Sequence, residues 1–151
     1  IPNSTVTSID GSIEAIEVAK INSRLNKVEG TFVEKNILTD SLEDLPQFDI
    51  IVSNPPYVLE SDKKKMTKNV LEFDPHLALF VDDETPLVFY EKITNIAKEK
   101  LKSDGKLYFE IHENFGVETE DLLKLNGFVK TRIIKDMQGK DRIVVGQKNK
   151  I

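Results

Sequence analysis

Apolar and polar positions along the chain switch between a period near two and a period near 3.6, giving alternating strands and helices. Four apolar runs predict strands at Thr5–Ile9, Thr31–Glu34, Phe48–Val52 and Lys106–Ile111. Between the first two, Ser12–Leu25 spaces Ile13, Ile16 and Ala19 for one helix face, with Ser12 as N-cap. A second helix fits Pro86–Leu101. Thr85 caps it, Pro86 takes its first position, and Phe89, Ile93, Ile96 and Ala97 form its buried stripe. Lys98, Lys100 and Lys102 gather at its end, where the helix dipole favours positive charge. Ser103-Asp104-Gly105 then breaks the chain before the Lys106 strand. A third helix, near Val117–Leu125, stops at Asn126-Gly127. Two further β-rich runs, Val129–Ile134 and Arg142–Gln147, joined by Lys135–Asp141 with its Gly139, predict an antiparallel pair. The expected fold is α/β, a mostly parallel sheet closed by a C-terminal antiparallel hairpin.

The third apolar run, Phe48-Asp49-Ile50-Ile51-Val52-Ser53, reads as a buried strand that exits into Asn54-Pro55-Pro56-Tyr57. Each proline fixes its own φ and lacks an N–H, and each pushes the residue before it toward extended geometry. Asn54 and Pro55 are therefore both held extended, with carbonyl groups not spent on a helix. The result is a rigid polar cup with a ring beside it, suited to holding a planar amide or amino group. Asn-Pro and Pro-Pro steps also mark loops without chemistry. The position favours a site, because open α/β sheets bind ligands outside the carboxyl ends of their strands.

Composition narrows the chemistry. With 151 residues the chain can bury a core as one domain. It has no cysteine, which excludes disulfides, zinc–thiolate sites and thiol nucleophiles. Its two histidines, His76 and His112, lie far apart, so no histidine metal site is expected and each reads as structural or surface. A net charge of −5 argues against a large phosphate-binding surface, and no direct nucleic-acid binding is expected. No apolar run approaches the roughly 18 residues of a membrane helix, and no signal peptide is visible, so a cytoplasmic protein is expected. Ser61–Asn69, with Lys63-Lys64-Lys65, reads as a solvated loop, or alternatively as a mobile segment near a partner's surface.

Polar residues close the strands at their carboxyl ends: Asp10, Asn36, Asn54 and Glu110. In a parallel sheet these converge on one edge. Asp10 is placed to accept ribose hydroxyls in a dinucleotide-type fold, although Asp10-Gly11-Ser12 is equally a turn with a helix cap. Asn36 suits an adenine edge, with Ile37 packing on the ring; both also fit an ordinary loop. Glu110 reads as a partly buried acid satisfied by backbone N–H groups.

Val52-Ser53-Asn54-Pro55-Pro56-Tyr57-Val58 resembles the motif of S-adenosylmethionine-dependent methyltransferases that act on adenine, cytosine or glutamine amides. Glu72-Phe73-Asp74-Pro75-His76-Leu77-Ala78-Leu79-Phe80 resembles a segment of release-factor glutamine methyltransferases, with Asp74 departing from the family's usual residue. Phe89-Tyr90, Asp104-Gly105-Lys106 and the Lys135-Asp136 and Asp141-Arg142 pairs match further, so the likeness covers essentially the whole chain. The resemblance implies a Rossmann-like class I methyltransferase sheet and S-adenosyl-L-methionine as cofactor. Asn54, Pro55, Pro56 and Tyr57 would then be catalytic, and Asp10, Asn36, Ile37 and Asn54 cofactor-binding. The implied partner is a class I peptide-chain release factor, methylated at the glutamine of its Gly-Gly-Gln loop. Adenine-N6 methylation of DNA or RNA is the alternative activity.

In that family the domain opens with a strand and a glycine-rich loop, and this chain matches from the second strand onward. Residues 1–151 are therefore expected to be a methyltransferase domain incomplete at its N-terminus, and inactivity of the isolated piece is a third reading. Weak or undetectable cofactor binding and some self-association through two open strand edges follow. Calorimetric titration with S-adenosylmethionine is expected to give little heat, where micromolar affinity would contradict it. Light scattering is expected to detect species larger than a monomer.

Overall fold

The computed structural model describes residues 3–61 and 80–150. They fall into two compact units, residues 1–41 and residues 42–151.

The N-terminal unit holds β1 (Thr7–Asp10), α1 (Ile13–Leu25) and β2 (Thr31–Glu34). β1 and β2 pair in parallel, from Thr7 opposite Thr31 to Asp10 opposite Glu34. Ser12 caps α1 as expected, its hydroxyl accepting from the Ala15 N–H at 3.1 Å. The predicted apolar face is narrower than its spacing suggested. Ile16 alone is buried, Ala19 is half-buried and Ile13 is 43% exposed. A helix of 13 residues runs about 20 Å. A four-residue strand covers only about 13 Å of it.

The C-terminal unit holds β3 (Phe48–Ser53), β4 (Val58–Leu59), β5 (Phe80–Val81), α2 (Val88–Lys100), β6 (Leu101–Glu110), α3 (Gly116–Leu125), β7 (Phe128–Lys135) and β8 (Asp141–Lys148). Its four-stranded sheet has the order β3-β6-β8-β7. β3 and β6 are parallel, while β8 runs antiparallel to both β6 and β7. The C-terminal hairpin thus forms as predicted, with Gly139 at φ +82° in its turn. β4 and β5 make a separate parallel pair.

The core lies where α2 and α3 meet the sheet. Leu101, Leu107 and Phe109 of β6 are fully buried, as is Ile111 just after it, with Tyr90 and Ala97 of α2, Leu123 of α3 and Val144 of β8. Each large apolar side chain so buried contributes about 1.5–3 kcal/mol.

Several predicted details shift. α2 starts at Val88, and no side chain caps it. The Thr85 carbonyl accepts from the Val88 N–H at 3.2 Å, which places Pro86 second in a tight turn, a position its fixed φ suits as well as a helix start. Of the predicted stripe on α2, Ile93 and Ala97 are buried, joined by Tyr90 and Thr94, while Phe89 and Ile96 are half-buried. The lysines at its end also tie down loops: Lys100 Nζ donates to the Glu43 and Leu45 carbonyls, each at 2.9 Å. β3 is not buried throughout. It lies at the edge of its sheet, and Ile50 and Val52 are 47% and 74% exposed.

The break foreseen at Ser103-Asp104-Gly105 appears as a wide bulge inside β6. Phe48 pairs with Leu101 but Ile50 already pairs with Lys106, and Asp104 takes φ +63°. Gly105 is buried in the bulge. A Cβ there would lie 2.9 Å from the Lys102 carbonyl oxygen and 3.2 Å from that of Asp49. Backbone oxygens cannot rotate aside, so Gly105→Ala is expected to cost about 1–3 kcal/mol, read as a lower urea midpoint with an unchanged slope.

Candidate functional site

The site is set by strand register. The last rung between β3 and β6 pairs Ser53 with Phe109, and because the strands are parallel both chains reach the same sheet edge. Asn54 and Glu110 are the next residues on each. Glu110 pairs in turn with Ile143 of β8, and the Ile111 N–H donates to the Arg142 carbonyl at 3.0 Å. Three neighbouring strands therefore place Asn54, Glu110 and Arg142 along one edge.

Asn54 is exposed, Pro55 is buried, and Pro56 and Tyr57 are half-buried. Among the described residues, neither the Asn54 side chain nor the Pro55 carbonyl makes a hydrogen bond within the protein. Both stand as unspent polar groups on a backbone that two prolines stiffen. β4 begins at the next residue, Val58, and pairs with β5. Just beyond it, Ser61 donates to the Asp83 carboxylate through its hydroxyl at 2.8 Å and its N–H at 3.2 Å. The turn is thus anchored by sheet at both ends.

Tyr57 is held from two sides. Its hydroxyl donates to Glu110 Oε1 at 2.9 Å, and its ring meets His112 edge-on at 6.3 Å between centroids. His112 in turn lies 5.4 Å from the Phe115 ring. The Tyr90 hydroxyl donates to the Glu110 carbonyl at 3.2 Å, and its ring packs edge-on against Phe109 at 5.1 Å. Burial, followed by the bond to Glu110 and that group's charge, pushes the Tyr57 phenol above its ordinary value, while Arg142 pulls the other way. Burial likewise raises Tyr90.

Glu110 corrects one expectation: its carboxylate is met by the Tyr57 hydroxyl rather than by backbone N–H groups. His112, read from sequence as structural or surface, stands in the Tyr57 surroundings. No local spacing pointed to it, because it joins the site only through the β3–β6 register.

Arg142 is steadied by the hairpin turn. Its Nη2 donates to Asp136 Oδ2 at 3.1 Å, while Asp136 Oδ1 accepts the N–H groups of Gln138 at 2.9 Å and Lys140 at 3.1 Å. The Lys140 N–H is the main cause holding the Asp136 carboxyl below its ordinary range, with Arg142 and Gln138 adding to it.

The other predicted residues lie in the N-terminal unit. Asp10 Oδ1 accepts from the Ser12 N–H at 2.9 Å, so the cap-and-turn geometry is present. Among the described residues no bond is made by Asp10 Oδ2. A carboxylate oxygen left open at a strand's carboxyl end is acceptor-only, which suits a vicinal diol. Asn36 spends its side-chain oxygen on the Leu38 N–H at 2.9 Å, and its backbone N–H meets Asp40 at 2.9 Å. Its Nδ2 keeps two donors for a ring acceptor, and Ile37 beside it is half-buried. These groups fit a nucleoside. A side chain at Gly11 would meet only ordinary contacts near 3.9 Å, so no tight backbone cradle lies there. The Glu72–Leu79 part of the motif, with His76, lies outside the described residues. Among the described residues no cluster of three metal-ligating groups occurs, and no helix is long and apolar enough to cross a membrane.

The methyltransferase small domain family matches residues 1–76. A release factor glutamine methyltransferase of Flavobacterium psychrophilum is 52% identical over 145 residues, covering 95% of this chain and 50% of that protein. The chain spans about half the length of the curated relatives it matches. Among solved structures, a methyltransferase from Pyrococcus furiosus superposes with a TM-score of 0.68 at 19% identity, over 98% of this chain and 64% of its own. A 16S rRNA N2 G1207 methyltransferase from Thermus thermophilus, in complex with AdoMet and guanosine, gives 0.63 at 15% identity, over 97% and 32%. Both share the class I methyltransferase fold with this chain.

The depressed Asp136 carboxyl has a pH signature. A lowered folded value stabilises the hairpin above the unfolded value and is lost as pH falls through the folded one. The stability gap between wild type and Asp136→Asn, read from urea midpoints, is expected to be widest above roughly pH 5 and to close toward pH 2.

Proposed function

Because the chain belongs to the methyltransferase small domain family, we propose that it methylates a side-chain amide, the glutamine of the Gly-Gly-Gln loop of class I peptide-chain release factors, in the cytoplasm. The observation that carries this reading is the unspent pair of acceptors at the sheet edge, the Asn54 side-chain oxygen and the Pro55 carbonyl. The names of its relatives supply the substrate class. The family match crosses the boundary at Ser41, which supports reading residues 1–151 as one methyltransferase domain.

An amide nitrogen is a poor nucleophile because its lone pair is delocalised into the carbonyl. Two acceptors remedy this. Asn54 Oδ1 and the Pro55 oxygen each take one N–H of the acceptor NH₂, which fixes the nitrogen with its lone pair directed outward. As the new bond forms, positive charge grows on that nitrogen, and both oxygens stabilise it. Orientation alone supplies several kcal/mol of the barrier, with an upper range of roughly 7–11. Pro56 keeps Pro55 extended. Tyr57 offers its ring to the flat amide. No strong base is needed before transfer: the N–C bond would form as the methyl S–C bond of the sulfonium breaks, leaving a neutral thioether, and the amide proton, acidic only then, would pass to solvent.

S-adenosylmethionine, when bound, supplies an electrophilic methyl group on a sulfonium. Within the N-terminal unit, Asp10 would hold its ribose hydroxyls, and Asn36 and Ile37 its adenine. The open Asp10 oxygen and the Asn36 NH₂ support that assignment.

In the holoenzyme, Asn54→Ala is expected to abolish methylation of a purified release factor while leaving the fold's thermal transition nearly unchanged. Asn54→Asp, which keeps an acceptor but adds charge, is expected to lose activity in part. Wild-type turnover in Asn54→Ala would remove its role, and transfer to oligonucleotides rather than to the release factor would replace the substrate.

A further inference from the structure

We propose that Glu110 is a positioning residue, whose carboxylate holds the Tyr57 hydroxyl and so sets the Tyr57 ring as a fixed wall beside Asn54. The proposal deepens the methyl-transfer reading above and rests on it.

Two prolines fix the backbone that leads to Tyr57, but they do not fix its side chain. The ring has two rotatable bonds and is only half-buried. What restrains it is the 2.9 Å bond to Glu110 Oε1 and the edge contact with His112. A hydrogen bond to a carboxylate oxygen is directional, so it can choose one rotamer where an aromatic edge alone would not. Glu110 is itself anchored. Its backbone lies in the rung opposite Ile143, and its carbonyl receives the Tyr90 hydroxyl. Arg142, on the neighbouring strand, adds a positive charge that acts on both Tyr57 and Glu110. A ring tied to the central strand of the unit repeats its position each time the turn receives an acceptor. In this arrangement Glu110 moves no proton. Its Oε1 is occupied by a phenol that stays protonated at neutral pH.

The test uses the holoenzyme and four variants: Glu110→Ala, Glu110→Gln, Tyr57→Phe and the Glu110→Ala/Tyr57→Phe double. Steady-state methylation of a release factor gives kcat and KM, and NMR of ¹³C-labelled tyrosine follows the Tyr57 phenol. Glu110→Ala and Tyr57→Phe are each expected to lower kcat by about tenfold to a hundredfold with little change in KM, the scale of a small misplacement. The double variant is expected to be no slower than either single one, because both remove the same bond. Glu110→Gln keeps an acceptor oxygen and should retain most of the rate. The Tyr57 phenol should titrate lower in Glu110→Ala than in wild type.

A loss in Glu110→Gln as deep as in Glu110→Ala would assign Glu110 proton chemistry and overturn the proposal. Additive losses in the double variant, or a wild-type kcat in Glu110→Ala, would overturn it as well. If Glu110→Ala does not fold, Glu110→Gln and Tyr57→Phe decide, since positioning requires activity in the first and a reduced kcat in the second. If the wild type methylates no release factor, the methyl-transfer reading falls separately. The titration then decides the rest: an unmoved Tyr57 in Glu110→Ala removes the positioning role, and a lowered one keeps it.

Discussion

The pairing of Ser53 with Phe109 is the constraint on which the candidate site depends. Side chains alternate along a strand, so slipping β6 by one residue would turn Leu107, Phe109 and Ile111 out of the core and drive Glu110 into it. Losing three fully buried apolar side chains costs about 1.5–3 kcal/mol each. Burying an unpaired carboxylate adds several more. The apolar alternation of β6 therefore fixes the register, and the register brings residues 54 and 110 to the same edge. Chemistry at the turn is a consequence of packing several residues behind it.

The turn itself is built to stay put. Its backbone is stiffened by Pro55 and Pro56, its entry is the end of β3, and its exit runs at once into β4 with the Ser61–Asp83 contact behind it. Such rigidity has a thermodynamic side: prolines reduce the freedom of the unfolded chain, so less entropy is lost on folding. Against that gain stand the Asn54 side chain and the Pro55 carbonyl, polar groups that make no hydrogen bond among the described residues. A fold optimised only for stability would have paired them. Their open lone pairs are what the proposed acceptor amide would use.

Much of this was legible from local sequence, where local physics decides. Gly127 and Gly139 both adopt φ +82°, and they end α3 and close the hairpin where their lack of a Cβ said they could. Ser12 caps α1 for equally local reasons. The misses came where distant residues decide. Pro86 fits a helix start and a turn alike, and the turn chain through Asp82 and Thr85 claimed it. The stripe on α2 kept Ile93 and Ala97 but took in Tyr90, which meets Phe109 and the Glu110 carbonyl. β3 read as buried from its composition, yet it lies at a sheet edge. Asn54 and Tyr57 were visible because the motif is contiguous. The bond from Tyr57 to Glu110 spans 53 residues, and no periodicity reports a pairing of that range.

Two phenols converge on Glu110, one on its carboxylate and one on its carbonyl. Both are pushed upward by burial, so both remain protonated donors throughout the neutral range. An ionised phenol beside the carboxylate would repel it and release the ring, whereas the raised value places that event well outside physiological pH. The Tyr57 donor of the Glu110 bond therefore stays in place as solvent pH varies across the neutral range. For the amide acceptor proposed above, which carries no charge to steer it and would be held only by direction-dependent hydrogen bonds, this constancy matters. A guest that cannot be attracted from a distance must be met by a surface already in place. Prolines supply that order along the backbone, and the Tyr57–Glu110 bond supplies it for the side chain.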